Sequence, residues 1–236
     1  MEDIVNLLET YRGRDKVIRL CCYGAMLLAG KDGKNSRLLR VSAALSDCRV
    51  VLRLFDDIPM LAYSLQYANS AAKEENWVLQ KIGVANNIAA HLYYILEKVA
   101  WLADTRVLSV HSSPWWTRAT YIWLFSLIAE ILQVLMKLKK LHETRTLFLQ
   151  QPNNQSGLPE TQIKLQRLSQ ENTFHLLTVL QNFTDLICAV HWLPPGRLWS
   201  GKLSHVTVGL LGSISSMIRL YHVYLQNSKK SMKTSK

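Results

Sequence analysis

The stretch Ala119–Met136 reads ATYIWLFSLIAEILQVLM, and Glu130 is its one charged side chain. As an α-helix these eighteen residues extend about 27 Å, close to the hydrocarbon thickness of a bilayer. Tryptophans precede the stretch and lysines follow it, as is typical of helices anchored at both membrane surfaces. Residues 117–136 are therefore predicted to form a transmembrane helix. The alternative is a core helix of a soluble bundle, because a charge at the centre of a span is costly unless it is paired.

A second apolar stretch lies near the end of the chain. Leu203–Ile218 contains no charged residue and is bounded by Lys202 and Arg219. Residues 203–225 are predicted to form a second transmembrane helix, since an arginine near a helix end can extend its side chain to the membrane surface. Small residues spaced along this helix allow another helix to approach closely, which predicts a packing face. That face consists of Gly209, Gly212, Ser213 and Ser216.

Residues 1–113 are predicted to be a cytosolic helical region that includes an amphipathic helix over residues 36–58. Helical periodicity places a set of apolar side chains on one arc, which is predicted to insert into the membrane. That face is Leu38, Val41, Leu45, Cys48, Val51, Leu52 and Phe55. Arginines in the same segment are predicted to contact anionic lipid headgroups. They are Arg37, Arg40, Arg49 and Arg53. The alternative is an ordinary core helix whose apolar arc packs on its neighbours.

The composition indicates an all-α protein. Hydrophobic residues make up 49% of the chain, which excludes intrinsic disorder, and glycine and proline are scarce. Residues 137–202 are predicted to be a helical loop region, and residues 226–236 a basic cytosolic tail with four lysines and no acid. The fold class is therefore an all-α membrane protein with an N-terminal amphipathic helical region and two hydrophobic helical segments. The net charge of +11, most of it in the second half of the chain, indicates an anionic partner surface, either a membrane or a nucleic acid.

The distribution of basic residues predicts that both termini face the cytosol. Positively charged segments next to a span remain on the cytosolic side, and the C-terminal tail is such a segment. Two spans would then place the N-terminus on the same side. The basic run that begins at Lys137 opposes this arrangement, because it would draw the loop between the spans to the cytosol as well. The first segment then either crosses against the rule or enters the bilayer without crossing.

The sequence offers no pattern for catalysis, metal binding or cofactor binding. The seven histidines occur singly, none with another three or four residues away, and no two of the four cysteines have C-x-x-C spacing. Glycine-rich phosphate-binding motifs are absent, and the basic runs lack the interleaved aromatic residues of a nucleic-acid surface. We therefore expect a protein that is not an enzyme, has no cofactor and binds no nucleic acid.

Several blocks of the chain resemble one family. YRGRDKVIRL (11–20), SDCRVVLRLFDD (46–57), SSPWW (112–116) and VGLLGSISS (208–216) are similar to the peroxin-11 family, and most closely to its gamma type. The similarity extends from about residue 8 to residue 224, with the blocks in the same order. The tail and the loop around residues 142–162 do not match.

The resemblance implies a multi-pass protein of the peroxisomal membrane with two spans and both ends in the cytosol. It also implies self-association, association with other family members, and membrane remodelling by the amphipathic helix during peroxisome elongation, proliferation and fission. Recruitment of fission factors is implied as well, including a dynamin-related GTPase and its membrane adaptors. Two alternatives remain: a membrane adaptor or scaffold for division factors, and a channel for small metabolites in which Glu130, Gln133 and Arg219 line a polar path.

Overall fold

The computed structural model describes residues 2–30, 36–71, 76–150 and 159–234. Over these residues the chain is helical and contains no β-strand. The α-helices of the described residues are α1 (Glu2–Glu9), α2 (Tyr11–Leu28), α3 (Ser36–Leu52), α4 (Asp57–Ala71), α5 (Trp77–Asp104), α6 (Ser113–Gln150), α7 (Pro159–His191) and α8 (His205–Thr234). A 3₁₀ turn, Arg53–Phe55, lies between α3 and α4. The prediction of an all-α protein with hydrophobic helices behind an N-terminal helical region is confirmed.

Local signals set several helix ends. The Thr10 hydroxyl accepts a hydrogen bond from the Gly13 amide and so caps the start of α2, and the Asn76 side chain caps α5 in the same way. Gly30, at φ +85°, follows the end of α2, where a left-handed residue is favoured. Pro59 lies in the first turn of α4, where the missing amide hydrogen is tolerated. These caps explain why α2, α4 and α5 are separate helices.

The helices pack in a continuous series that does not follow chain order. α5 packs on α6, α6 on α7, α7 on α8, α8 on α2, and α2 on α3, while α4 covers part of α5. The packing of α2 on α8 brings an N-terminal helix against the last helix of the chain. A small core of Tyr23, Cys188 and Val208 is buried where α2, α7 and α8 meet.

Three helices are long and apolar enough to cross a membrane: Ser113–Gln150, Thr161–His191 and His205–Asn227. The second of these helices in chain order, α7, was not predicted to cross. It lies within residues 137–202, which the sequence predicted to be a helical loop region. Its mean hydropathy is lowered by polar residues that are buried in the fold, among them Gln181, Asn182 and Asp185. Hydropathy along the chain counts these side chains as if they faced solvent or lipid, whereas the bundle encloses them.

The amphipathic helix is shorter than predicted. α3 ends at Leu52, the 3₁₀ turn continues to Phe55, and a new helix begins at Asp57. Residues 57 and 58 therefore belong to α4 rather than to the predicted helix 36–58. The reason is that an aspartate is favourable in the first turn of a helix, where its charge meets the positive end of the helix dipole.

Candidate membrane-interacting surface and its buried ion pairs

One side of α3 carries exposed apolar side chains. Val41 is 48% exposed, Val51 47% and Phe55 78%. These residues share a helical face with Ala44 and Cys48, both also exposed. We call this set, which continues from α3 into the 3₁₀ turn at Phe55, the outward face of α3: Val41, Ala44, Cys48, Val51 and Phe55. The predicted insertion residues Leu38, Leu45 and Leu52 are half-buried, so they lie at the margin of this face.

α3 is held to α2 by polar groups. The Cys22 thiol donates to the Ser42 carbonyl oxygen over 3.2 Å, and the Tyr11 hydroxyl donates to the Leu52 carbonyl oxygen over 2.9 Å. Ser42 is 2% exposed. In an ordinary core helix the apolar arc would be buried and the polar residues exposed. α3 departs from this arrangement in part, because Ser42 is buried together with Val50 while Val41 and Val51 remain exposed.

The four predicted headgroup arginines divide into two pairs. Arg37 and Arg40 are exposed on α3. The other two are held in ion pairs within the protein: Arg49 Nε lies 3.0 Å from Asp15 Oδ1, and an Arg53 guanidinium nitrogen lies 2.5 Å from Glu97 Oε1. Periodicity alone could not reveal this, because the carboxylates lie 34 and 44 residues away in the sequence.

The Asp15 carboxylate is ionised at any physiological pH. Burial alone would raise the pKa of Asp15, but the charges of Lys16 and Arg49 outweigh burial and lower the pKa to about 2. An acid with a lowered pKa in the folded state contributes stability that is lost only as the pH falls through that value. The ion pair between Asp15 and Arg49, which joins α2 to α3, therefore persists throughout the physiological pH range.

Two residues of the predicted small-residue face of α8, Gly209 and Gly212, lie against α2. A Cβ atom added to Gly209 would lie 2.7 Å from Leu27 Cα, and one added to Gly212 would overlap the Tyr23 ring. Ser216 is fully buried and donates to the Gly212 carbonyl oxygen over 2.6 Å, while Ser213 is half-buried. The glycines thus allow close approach of α2 within the same chain, whereas the sequence alone left the partner helix open.

A buried carboxylate links three helices. Asp185 on α7 is 1% exposed, and its two oxygens accept from Arg19 on α2 at 2.6 Å and from Arg219 on α8 at 2.8 Å. Arg19 also donates to the Ser215 hydroxyl over 3.0 Å. Sequence analysis missed this group. A usable signal was present, since a single acid within an apolar helix indicates a paired interior position.

The described residues contain no group of three histidine, cysteine or acidic side chains that could hold a metal ion. The four cysteines are free; Cys22 and Cys188 are buried, and Cys21 and Cys48 are exposed. The main features of the described surface and interior are the exposed apolar face of α3 and the ion pairs that join the helices.

These features define a class, an all-helical protein with three helices able to cross a membrane and an N-terminal helical region. The profile of the family described as Peroxisomal biogenesis factor 11 (PEX11) matches residues 1–224, and the chain belongs to that family. It is a family of peroxisomal membrane proteins involved in peroxisome biogenesis, so the resemblance found in the sequence is confirmed. The names of the family and its members describe membrane proteins rather than enzymes.

Relatives match over nearly the whole chain. The human Peroxisomal membrane protein 11C is 39% identical over 229 residues, which covers 94% of this chain and 93% of the relative. The mouse protein of the same name is 37% identical, covering 91% and 90%. Peroxisomal membrane protein PMP27 of Saccharomyces cerevisiae is 25% identical, covering 90% and 84%. No solved structure matches the chain.

Proposed function

We propose that this protein shapes the peroxisomal membrane by inserting the outward face of α3 into the cytosolic leaflet. The observation that carries the proposal is the exposure of Val41, Val51 and Phe55 on a helix whose polar side is attached to α2. An apolar helical face buried in one leaflet expands that leaflet and favours curvature, which promotes elongation and fission of the organelle. Arg37 and Arg40 are exposed on the same helix and are available to anionic headgroups.

Placing a charge on the outward face of α3 is expected to abolish remodelling. In Val51→Asp and Phe55→Asp, the free energy of inserting one apolar side chain, about 1.5–3 kcal/mol, is lost, and a carboxylate must enter the leaflet. We expect partitioning into the leaflet to fall at least tenfold, a factor that corresponds to about 1.4 kcal/mol. The measurement is tubulation of anionic liposomes that contain the full-length protein, scored by electron microscopy.

Ser46→Asp is the matched control, because Ser46 is exposed on α3 but lies off the apolar face. It adds the same charge to the same helix and is expected to leave tubulation unchanged. Equal tubulation by Val51→Asp and the unmodified protein contradicts the insertion mechanism.

Recruitment of partners is the second part of the proposal. The protein self-associates, associates with other family members, and recruits fission factors that include a dynamin-related GTPase and its membrane adaptors. Its support is the membership of the family together with the resemblance described above. If recruitment instead of insertion is the main activity, Val51→Asp still elongates peroxisomes in cells and still co-precipitates the fission factors. If insertion dominates, co-precipitation persists and elongation is lost.

We further propose that both termini face the cytosol. The support is the lysine-rich tail, which favours the cytosolic side. Since the structure has three candidate spans, this arrangement requires that two of the three helices cross.

Tags at the two termini are both expected to be removed by protease from intact peroxisomes. A third tag after Gln151 then shows whether α6 is one of the two crossing helices, because its protection requires that α6 crosses. Protection of one terminal tag alone would mean an odd number of crossings and would contradict the proposed orientation.

A further inference from the structure

Two neighbouring ion-pair groups, both of which include residues of α2, each contain more positive than negative charge. Asp15 is shared by Lys16 and Arg49, and Asp185 is shared by Arg19 and Arg219. We call the four basic side chains the basic cluster: Lys16, Arg19, Arg49 and Arg219. Within these two ion-pair groups, four cations face two carboxylates, which is an excess of two positive charges, and Asp56 is a further carboxylate that interacts with Lys16.

This excess is poorly solvated. The side chains of Arg19 and Arg49 are 6% and 12% exposed, and those of Lys16 and Arg219 are 24% and 28% exposed. Basic residues on a protein surface are normally hydrated, and a charge removed from water is costly unless an opposite charge accompanies it. The basic cluster is therefore paired with fewer negative charges than it carries positive ones. Its two more exposed members, Lys16 and Arg219, lie on the side from which an anion can enter.

Lys16 and Arg219 face each other across the contact between α2 and α8. These helices run antiparallel, since Arg19 contacts Ser215 and Tyr23 contacts Gly212. The same register places Lys16 opposite Arg219. Burial, followed by the charges of Arg219 and Arg49, lowers the pKa of Lys16 to about 8 even though Asp15 opposes the shift. Lys16 and Arg219 thus lie close enough to repel each other, while Asp15 and Asp56 interact with Lys16 and Asp185 pairs with Arg219.

Arg219 also retains an unused donor. Its Nε atom is buried and has no hydrogen-bond partner among the described residues, while its terminal nitrogen is bonded to Asp185. A buried guanidinium N–H without an acceptor is costly, and a ligand oxygen near Lys16 would satisfy it. Guanidinium and ammonium groups together are the usual protein partners of a phosphate group.

We propose that the basic cluster binds the phosphate group of an anionic phospholipid, between Lys16 and Arg219. Arg219 directly follows the uncharged stretch Leu203–Ile218 of α8 and lies within the candidate span His205–Asn227, so its long side chain places the guanidinium at the headgroup level by extending toward the membrane surface. Headgroup phosphates occupy that level of a membrane, and basic pockets beside membrane helices hold them. Inorganic phosphate has the same binding chemistry and is the second source that the test must separate.

The test is native mass spectrometry of the full-length protein in detergent with dioleoyl phosphatidic acid. We expect one tightly bound lipid and weak binding of phosphatidylcholine. Lys16→Gln and Arg219→Gln should each weaken phosphatidic acid binding about tenfold, because each removes one charge-assisted hydrogen bond. Both substitutions leave a basic partner on the affected carboxylate, Arg49 on Asp15 and Arg19 on Asp185. Lipid binding should also raise the pKa of Lys16 from about 8, which NMR of methylated lysines can follow.

Arg14→Gln is the control, since it removes the same charge from an exposed position on α2. Equal weakening by Arg14→Gln, or unchanged binding by Lys16→Gln, overturns the proposal. Competition by inorganic phosphate at the concentration of the lipid supports the phosphate site but overturns the lipid as its source. The test is separate from that of membrane insertion, because Val51→Asp is expected to leave phosphatidic acid binding in detergent unchanged.

Discussion

Asp185→Ala is expected to release α2 from α7 and α8 and to lower the free energy of unfolding by about 3–5 kcal/mol. The substitution leaves the buried guanidinium of Arg19 and the half-buried one of Arg219 without their shared carboxylate. Loss of one member of a buried ion pair costs this much because the remaining charge stays desolvated. The measurement is thermal unfolding in detergent, together with the rate at which maleimide labels Cys188. That thiol is buried beside Val208 and should become reactive when the helices separate.

Two controls make this result specific to the ion pairs. Asp47→Ala removes an exposed aspartate from α3 and is expected to change stability by less than about 0.5 kcal/mol. The triple variant Arg19→Met, Asp185→Leu, Arg219→Met removes all three charges and is expected to recover most of the loss, since apolar residues of similar volume replace buried ion pairs well. If Asp185→Ala unfolds at the same temperature as the unmodified protein, Asp185 does not hold the three helices together.

Gly209→Ala is expected to lower the free energy of unfolding by about 1–3 kcal/mol. The added Cβ atom would lie 2.7 Å from Leu27 Cα, which is backbone and cannot rotate away. α2 and α8 would therefore have to separate along their contact. The measurement is again thermal unfolding, accompanied by maleimide labelling of Cys22, which lies buried between α2 and α3.

Gly24→Ala provides the matched comparison on the facing helix. A Cβ atom at Gly24 would meet nothing within 4 Å. Because alanine is favoured over glycine in a helix interior, this substitution is expected to stabilise the protein by about 0.5–1 kcal/mol. The same chemical change should therefore act in opposite directions at two helical glycines. Equal effects at both positions would mean that the close approach of α2 to α8 is not needed for stability.

The two predictions concern the same contact by different means. The ion pairs of Asp185 supply an attraction between α2, α7 and α8, whereas the glycines of α8 supply the space that lets α2 come close enough to make it. Since α3 is attached to α2, both changes should also affect the position of the outward face of α3. A weakened α2 contact is therefore expected to reduce liposome tubulation even though the outward face itself is unchanged.

The family and the all-helical fold could be predicted from the sequence, because both depend on local patterns. Runs such as Ala119–Met136 indicate a membrane helix by length and apolar character, and the similarity blocks occur in order along the chain. Two features of the fold could not be predicted in this way. α7 was not predicted as a candidate span, since its buried polar residues lower its apparent hydrophobicity. The boundary between α3 and α4 was placed too late, because Phe55 continues the apolar period through a 3₁₀ turn.

The sequence by itself determined that the chain is helical, that it carries helices fit for a bilayer, and that α3 has an apolar side. These properties follow from the spacing of side chains on a single helix. Only the tertiary structure decided which side of α3 remains exposed, and that Arg49 and Arg53 face carboxylates of other helices. The physical reason is that charge pairing and close packing join residues far apart in sequence, as Arg19 and Asp185 are joined across 166 positions. No local pattern contains the identity of such a partner.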